Sequence, residues 1–225
     1  SFRIQTAISL LKDSWPLILS GVAITIYMRI DQVMIQNMLG SKEVGYYAAA
    51  VKLSEAWYFI PMAITSSLFP AIINAKKKGE ALYYSRLQRL YDLVVWIAVA
   101  IALPTTFLAP WIIKILYGNA YLPAANALRI YIWAGVFISL LVSSGSWLVN
   151  ENFTKIALYR NASGSIVNIL LNIYLIKGYG IEGATFATLI SYFIAGYLFD
   201  LFSLKTRHTF WLKTKALNII RIVKI

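Results

Sequence analysis

Six stretches of this chain, roughly 14–39, 46–75, 90–113, 124–149, 156–176 and 181–204, are each long and apolar enough to cross a bilayer, which takes about 20 mostly apolar helical residues. No other feature constrains the fold so tightly. In hydrocarbon every backbone N–H and C=O has to be satisfied within the protein, and a helix does this inside its own segment. The residues therefore predict an all-α, polytopic membrane protein with a six-helix transmembrane bundle over 14–204, a cytoplasmic lead-in over 1–13 and a basic cytoplasmic tail over 205–225. The 90–113 stretch is the clearest, with an unbroken apolar run over 93–103. The first two stretches each carry two charges, but the polar turn from Gly40 to Gly45 between them marks a helical hairpin. Pro61, Pro70, Pro104 and Pro110 are placed to kink or end helices.

Composition agrees: 60% of residues are apolar or aromatic and only 13% are charged, about half the share of an ordinary soluble domain. A net charge of +12 would suggest nucleic acid in a soluble protein, but the Lys and Arg residues cluster between apolar runs, as orientation signals do, so no nucleic-acid partner is expected. With the N-terminus inside, the cytoplasmic flanks receive Arg3 and Lys12, the basic 76–92 segment, Lys155 and Arg160, and a tail that includes Lys213, Arg221 and Lys224. The opposite face receives only Lys42, Lys114 and Lys177. Both termini are predicted to be cytoplasmic. The 76–92 segment carries Tyr83, Tyr84, Leu87, Leu90 and Tyr91 at helical spacing and is predicted to lie along the inner interface before the third span. The tail is read the same way, both segments being held by anionic membrane lipids. The lack of Cys excludes disulfides, thiolate metal sites and Cys nucleophiles, and the lone His208 makes no imidazole metal centre. No catalytic residue, metal site or cofactor is expected. The first residue is Ser1 and no secretory signal follows it, so the chain reads as starting part-way through a longer protein.

Charges inside a span are costly and mark function by default. Arg29 and Asp31 on the first span, and Lys52 and Glu55 on the second, fall at overlapping depths of roughly 9–15 Å below the outer surface at 1.5 Å per residue. Thr25, Arg29, Gln32 and Gln36 make one polar stripe, with Asp31 turned some 200° away from Arg29. Two readings stand at this point. In one, a solvated cavity uses Arg29 and Lys52 to attract an anionic substrate while the carboxylates tune or couple. In the other, cross-paired ions lock the hairpin. Ser139, Ser143, Ser146 and Asn150, and likewise Asn161, Ser165, Asn168 and Asn172, form neutral stripes that line an aqueous path or hydrogen-bond packed helices. On the first alternative, Asn161 and Asn168 join Gln32 as substrate contacts. Arg129, a turn into the fourth span, is a further candidate that can also snorkel to the interface. Gly178 to Gly183 fits a dinucleotide fingerprint in letters, but it joins two spans and is read as a turn.

The block from Met28 to Ile35, followed by Leu39-Gly40, Val44-Gly45-Tyr46-Tyr47 and Ala49 to Glu55, resembles the seventh and eighth helices of Wzx-type polysaccharide (O-antigen) flippases. The likeness continues in Phe59-Ile60-Pro61, Leu68 to Ile72, Leu116-Tyr117-Gly118, Tyr121 to Ala125 and Gly180 to Thr188. That last pattern is shared across the multidrug, oligosaccharidyl-lipid and polysaccharide exporter superfamily. The resemblance implies the C-terminal half of a twelve-helix exporter, which would move an undecaprenyl-diphosphate-linked oligosaccharide across the bacterial cytoplasmic membrane by alternating access, with the N-terminal six-helix half as partner. It also implies that Arg29 and Lys52 hold the diphosphate and that Asp31 or Glu55 couples transport to an ion gradient, and that one bundle does not transport by itself. The rivals are a drug or cation exporter of the same superfamily, a membrane-embedded glycan polymerase or ligase, and a structural membrane subunit. The outer loops are short and hold only Lys42, Glu43, Lys114, Lys177 and Glu182 as charges, little for an enzyme to work with.

Overall fold

The structure, a computed structural model, describes the backbone of residues 4–218 and side chains from Ser14 onward, except those of Ala23, Ile26 and Tyr27. The orientation signals at Arg3, Lys12, Arg221 and Lys224 lie outside the described side chains. The described residues form eight α-helices: α1 Ile4–Leu39, α2 Ser41–Glu55, α3 Phe59–Lys76, α4 Glu80–Tyr117, α5 Ala124–Tyr131, α6 Ala134–Asn150, α7 Thr154–Gly196 and α8 Arg207–Leu217. Short 3₁₀ turns at Asn119–Tyr121 and Leu198–Leu201 complete them, and there is no strand among the described residues.

Four helical stretches, Ser41–Lys76, Glu80–Tyr117, Ala124–Asn150 and Thr154–Leu201, are long and apolar enough to cross a membrane. Large apolar side chains such as Phe107, Trp111 and Ile115 stand two-thirds or more exposed on the outside of the helices. A soluble domain cannot carry so much uncovered apolar surface, whereas lipid accepts it, and the chain is a multi-pass membrane protein.

Two expected spans are broken, each for a local reason. The 46–75 stretch divides at 56–58, where Trp57 N–H bonds to the Ser54 carbonyl at 3.4 Å and Tyr58 N–H to that of Glu55 at 3.0 Å, a tighter i−3 pattern. Pro61 follows at once; it has no N–H to offer Trp57, and its ring crowds that carbonyl. The 124–149 stretch jogs at 132–133, where Trp133 and Gly135 also bond three residues back. The basic 76–92 segment departs from expectation in the other direction. It is no separate interfacial helix: Lys76 ends α3, 77–79 turn the chain, and 80–92 are the first third of α4, whose 38 residues extend about 57 Å. That exceeds the roughly 30 Å hydrocarbon core, so one end of α4 projects beyond it. Tyr83, Leu87, Leu90 and Tyr91 are buried against protein.

The tail also departs from expectation. Beyond the last span, α8 folds back against α4, with Gln88 Nε2 donating to the Leu212 carbonyl at 3.0 Å, and it buries Phe210, Leu212, Lys213 and Ala216. Nearby, Lys76 pairs with Glu151 at 2.7 Å and Tyr83 donates to the same carboxylate at 2.8 Å. Partial burial pushes the Glu151 carboxyl up, but these two partners outweigh it and hold it below the usual carboxylate range.

The last two expected spans are the limbs of one helix, α7, folded at Gly180. Only this residue leaves helical geometry, at φ 59° and ψ −137°, a region open to glycine and costly for other residues. Asn168 and Thr188, on opposite limbs, come within 3.4 Å of one another, whereas twenty residues of straight helix would separate them by about 30 Å. Gly183 makes the close return possible, since a Cβ there would run into the Leu175 carbonyl. At this end the core is rich in alanine, including Ala49, Ala50, Ala109, Ala124, Ala127 and Ala184. Small residues let α1, α2, α4, α5 and α7 approach closely, which is how helices gain packing energy where lipid supplies no hydrophobic drive.

Candidate functional site

Asp31 is 1% exposed and sits where α1 meets α2 and both limbs of α7. Its position on α1 turns it inward, opposite the polar stripe. Tyr47 of α2 donates to Oδ2 at 2.6 Å; Thr188 Oγ1 donates to the same oxygen, and Asn172 Nδ2 donates to Oδ1. The network continues from Asn172 Nδ2 to Asn168 Oδ1 at 3.1 Å and from Thr188 Oγ1 to the Ala184 carbonyl at 3.0 Å. Asn172 Oδ1 is buried without a hydrogen-bond partner. Among the described residues no Lys, Arg or His pairs with Asp31; the two ion pairs present are Lys76–Glu151 and Lys213–Asp200.

The other predicted residues are divided between two places. Arg29 and Lys52 are exposed, as are Thr25 and Gln36, while Gln32 is half-buried, so the polar stripe of α1 is left uncovered by this chain. Glu55 is half-buried at the end of α2, within electrostatic reach of Arg29 and in contact with Tyr131, and its Oε1 has no hydrogen-bond partner. Arg29 thus acts through space on Glu55, and among the described residues it forms no ion pair with either Glu55 or Asp31. Arg129 is exposed and spends its donors locally, on the Thr106 carbonyl at 3.2 Å and Asn126 Oδ1 at 3.0 Å. Asn161 is buried and donates to Ser20 of α1 beside a cavity of about 490 Å³. The cavity walls, including Ile24, Met28, Met62, Ile138 and Leu141, are mostly apolar. Asn168 joins the Asp31 network, and Ser143 bonds Thr65 at 3.1 Å across to α3. These stripe residues make contacts between helices or helix limbs.

A second polar centre, at the opposite end of the bundle, was not foreseen. Lys213 of α8 is fully buried and donates to Asp200 Oδ2 at 2.7 Å, the Gly196 carbonyl at 2.6 Å and Ser144 Oγ at 2.9 Å. Arg160 of α7, also buried, donates to that same Ser144 oxygen at 2.7 Å and to the Leu141 carbonyl at 3.2 Å. Burial pushes the Lys213 ammonium down to about 8, against the pull of Asp200. Both cations were counted among the flanking residues that set orientation, a count blind to a chain that folds back. Asp200, an acid inside the last expected span, is the available signal that one of them has a partner. With no group of three His, Cys, Asp or Glu among the described residues, neither centre offers a transition-metal ligand set.

Comparison with known proteins adds a family. The sequence profile of the family described as polysaccharide biosynthesis protein matches residues 1–126. A protein of Shigella dysenteriae named as an O-antigen transporter is 28% identical over 192 residues, which is 84% of this chain and 48% of that protein. A protein of Haloferax volcanii named as a low-salt glycan biosynthesis flippase is 23% identical over 214 residues, 91% of this chain and 45% of its own length. An uncharacterised membrane protein of Methanocaldococcus jannaschii is 26% identical over 184 residues, covering 82% of this chain and 43% of that one. The chain spans about half the length of the curated relatives it matches. No solved structure matches it significantly.

Proposed function

Since this chain belongs to the polysaccharide biosynthesis protein family, we propose that it is one six-helix half of a membrane transporter for a lipid-diphosphate-linked oligosaccharide, undecaprenyl-linked in a bacterial cytoplasmic membrane. The six spans are α1, the broken α2–α3, α4, the jogged α5–α6, and the two limbs of α7. The end bearing Lys76, Arg86, Arg89 and Lys155 faces the cytoplasm, by the positive-inside rule. The pathway lies between this bundle and a second one, the N-terminal half, and alternating access is the motion of one against the other.

The observation that carries this reading is the uncovered polar face of α1 and α2. Arg29 and Lys52 stand exposed at membrane depth, while Asp31 is buried among hydrogen-bond donors. An exposed cation is tolerated there where it faces water, a partner or an anion rather than acyl chains. A diphosphate is such an anion, and in a low-dielectric setting each charge-assisted contact to it is strong. Arg29 and Lys52 hold the diphosphate, Gln32 and Asn161 contact the glycan, and Asp31 with its neighbour Asn168 serves ion coupling. Glu55 sets the field at Arg29, and Arg129 guides substrate at the outer rim. No residue here is assigned a catalytic role.

The test is export of labelled lipid-linked glycan by the full-length protein. Arg29→Ala and Lys52→Ala should each lower export while leaving insertion unchanged. The charge swap Arg29→Glu with Glu55→Arg separates the two readings of this face. Full recovery of export by the swap would mean that Arg29 and Glu55 are a structural ion pair, and the diphosphate assignment would fall. Transport of a cationic dye instead of glycan would favour a drug exporter.

A further inference from the structure

Between α3 and α4, at the end of the bundle that carries α8, an open groove of about 270 Å³ faces outward. Its floor is Ile72 and Leu90, both buried, and its sides are the exposed Leu68 and Leu93. Ala71 keeps it open. That residue shares a face of α3 with Leu68 and Ile72, and its single methyl leaves room that a larger side chain would take. Arg86 and Arg89 close the polar end. They fall on the same side of α4 as Leu90 and Leu93, at spacings of three, four and seven residues from Arg86.

The depth of these residues matches the layers of a bilayer leaflet. Leu93 begins the unbroken apolar run of α4, and Arg89 precedes it by four residues, about 6 Å along the helix. The headgroup region on each side of the hydrocarbon core is about 5–8 Å thick, so Arg89 falls among phosphates while the groove beyond it falls among acyl chains. Arg86 Nη1 donates to the Ala71 carbonyl at 2.9 Å, which fixes that guanidinium at the mouth and leaves its other N–H groups for a ligand. Neither guanidinium has an acidic partner among the described residues, where the ion pairs are Lys76–Glu151 and Lys213–Asp200. Asp92, the acid nearest Arg89 in sequence, accepts instead from Gln88 at 2.7 Å, on the side of α4 that meets α8.

These features define the ligand. Two neighbouring guanidiniums suit a phosphate, which each can grip with parallel N–H···O bonds. The apolar groove that continues from them suits an attached hydrocarbon chain, so a free phosphate leaves half of the site unused. A net negative headgroup is selected as well, because a choline or ethanolamine would bring its own cation against these arginines and against the exposed Lys77 and Lys78 in the turn joining the two helices. We propose that this groove binds one anionic glycerophospholipid of the adjoining leaflet, the cytoplasmic one on the orientation given above. The phosphodiester bridges Arg86 and Arg89, and one acyl chain lies over Ile72 and Leu90 between Leu68 and Leu93. Bound there, the lipid ties α3 to α4, a built site in place of the diffuse basic anchor expected of the 76–92 segment. The inference needs the chain only to be a multi-pass membrane protein and stands apart from the transport reading.

The experiment is native mass spectrometry of the purified full-length protein in mild detergent, titrated with dioleoylphosphatidylglycerol, with melting followed in parallel. Wild type should retain one phosphatidylglycerol saturably and melt higher with it, whereas dioleoylphosphatidylcholine and inorganic phosphate should do neither. Arg86→Gln with Arg89→Gln should weaken that binding at least about tenfold. Since this pair of changes also removes the bond to Ala71, a second variant, Ala71→Leu, fills the groove and keeps every cation; it too should lose the retained lipid. Lys77→Gln with Lys78→Gln should weaken binding less than the arginine pair does. Equal losses from the lysine and arginine pairs, or an Ala71→Leu protein that binds as wild type does, would reveal a diffuse basic anchor and overturn the proposal. Equal retention of phosphatidylcholine, or the full melting shift from inorganic phosphate alone, overturns it as well. So does displacement of phosphatidylglycerol by an equimolar polyprenyl diphosphate, which would make the groove a substrate subsite. Loss of glycan export in Arg29→Ala with phosphatidylglycerol binding intact would support a site separate from the transport path.

Discussion

Replacing Asp200 should damage the protein more than replacing Lys213, although the two form one ion pair. Removing one member of a buried pair costs about 3–5 kcal/mol in general, because the other charge is stranded. Here Arg160 breaks the symmetry. Arg160 and Lys213 donate to the same Ser144 oxygen at 2.7 and 2.9 Å, which puts the two cationic nitrogens within about 5.6 Å and their mutual repulsion at about 3 kcal/mol for an effective dielectric constant of 20. Asp200 offsets that repulsion. Asp200→Asn keeps the shape and leaves two buried cations, so its cost should reach or exceed the general figure. Lys213→Met removes one cation and leaves Asp200 and Arg160 balanced, so its cost should fall below it. The double variant should recover most of the loss, leaving one cation in place of two. At about 2–4 °C per kcal/mol for a chain of this size, the single variants should be well resolved by melting of the detergent-solubilised protein. An Asp200→Asn protein as stable as Lys213→Met, or a double variant showing the summed losses, would refute the argument.

The same lysine gives a pH prediction. Its ammonium is depressed to about 8 from an ordinary 10.5, so above pH 8 the unfolded chain holds a proton that the folded one has released. The contribution of this group therefore rises with pH up to about 10.5, and wild type should gain melting temperature on Lys213→Met between pH 8 and 10; a shrinking advantage contradicts it. Gly183→Ala should cost about 1–3 kcal/mol by wedging the α7 limbs apart, whereas Gly21→Ala, which meets open space, should cost nothing, and equal melting of the two would dispose of the close-approach argument. In the cysteine-free background, Ser41→Cys, Asn119→Cys and Gly178→Cys should react with an impermeant thiol reagent outside cells and Lys78→Cys and Asn152→Cys should not; the reverse pattern inverts the orientation.

The membrane class was legible because lipid solvent leaves a composition no soluble core needs, and each apolar run falls on helix, although α1 and α4 each start about ten residues before their run. What the runs cannot report is the continuity of backbone: 76–92 reads as an interfacial piece because its polarity changes near Asp92, yet past the turn at Gly79 nothing stops the helix from Glu80 onward. Likewise Gly180 reads as a turn, but not as one tight enough to return Thr188 to Asn168. In the candidate site, Asp31, Asn168 and Asn172 were visible from charge and helical spacing. Tyr47 and Thr188 were not singled out, since an isolated Tyr or Thr in a span is ordinary until a tertiary contact gives it a partner. Lys213 and Arg160 were misplaced for a related reason: a basic residue next to an apolar run is usually an orientation signal, and only the fold shows Ser144 and Asp200 waiting for it.

The partners of Asp31 also have a consequence for how the protein is made. Asn172 and Thr188 lie 141 and 157 residues downstream. At synthesis rates of about 5–20 residues per second, Thr188 follows Asp31 out of the ribosome by on the order of 10–30 s. For that interval the first helix carries a carboxylate whose native acceptance by α7 has not been built. It has to pause at the insertion machinery or beside another segment, protonated or held in water, and lodge in the bundle only when the final hairpin closes. A ribosome stalled just before Gly180 should therefore leave α1 crosslinkable to the insertion channel, and one stalled well beyond Gly196 should not.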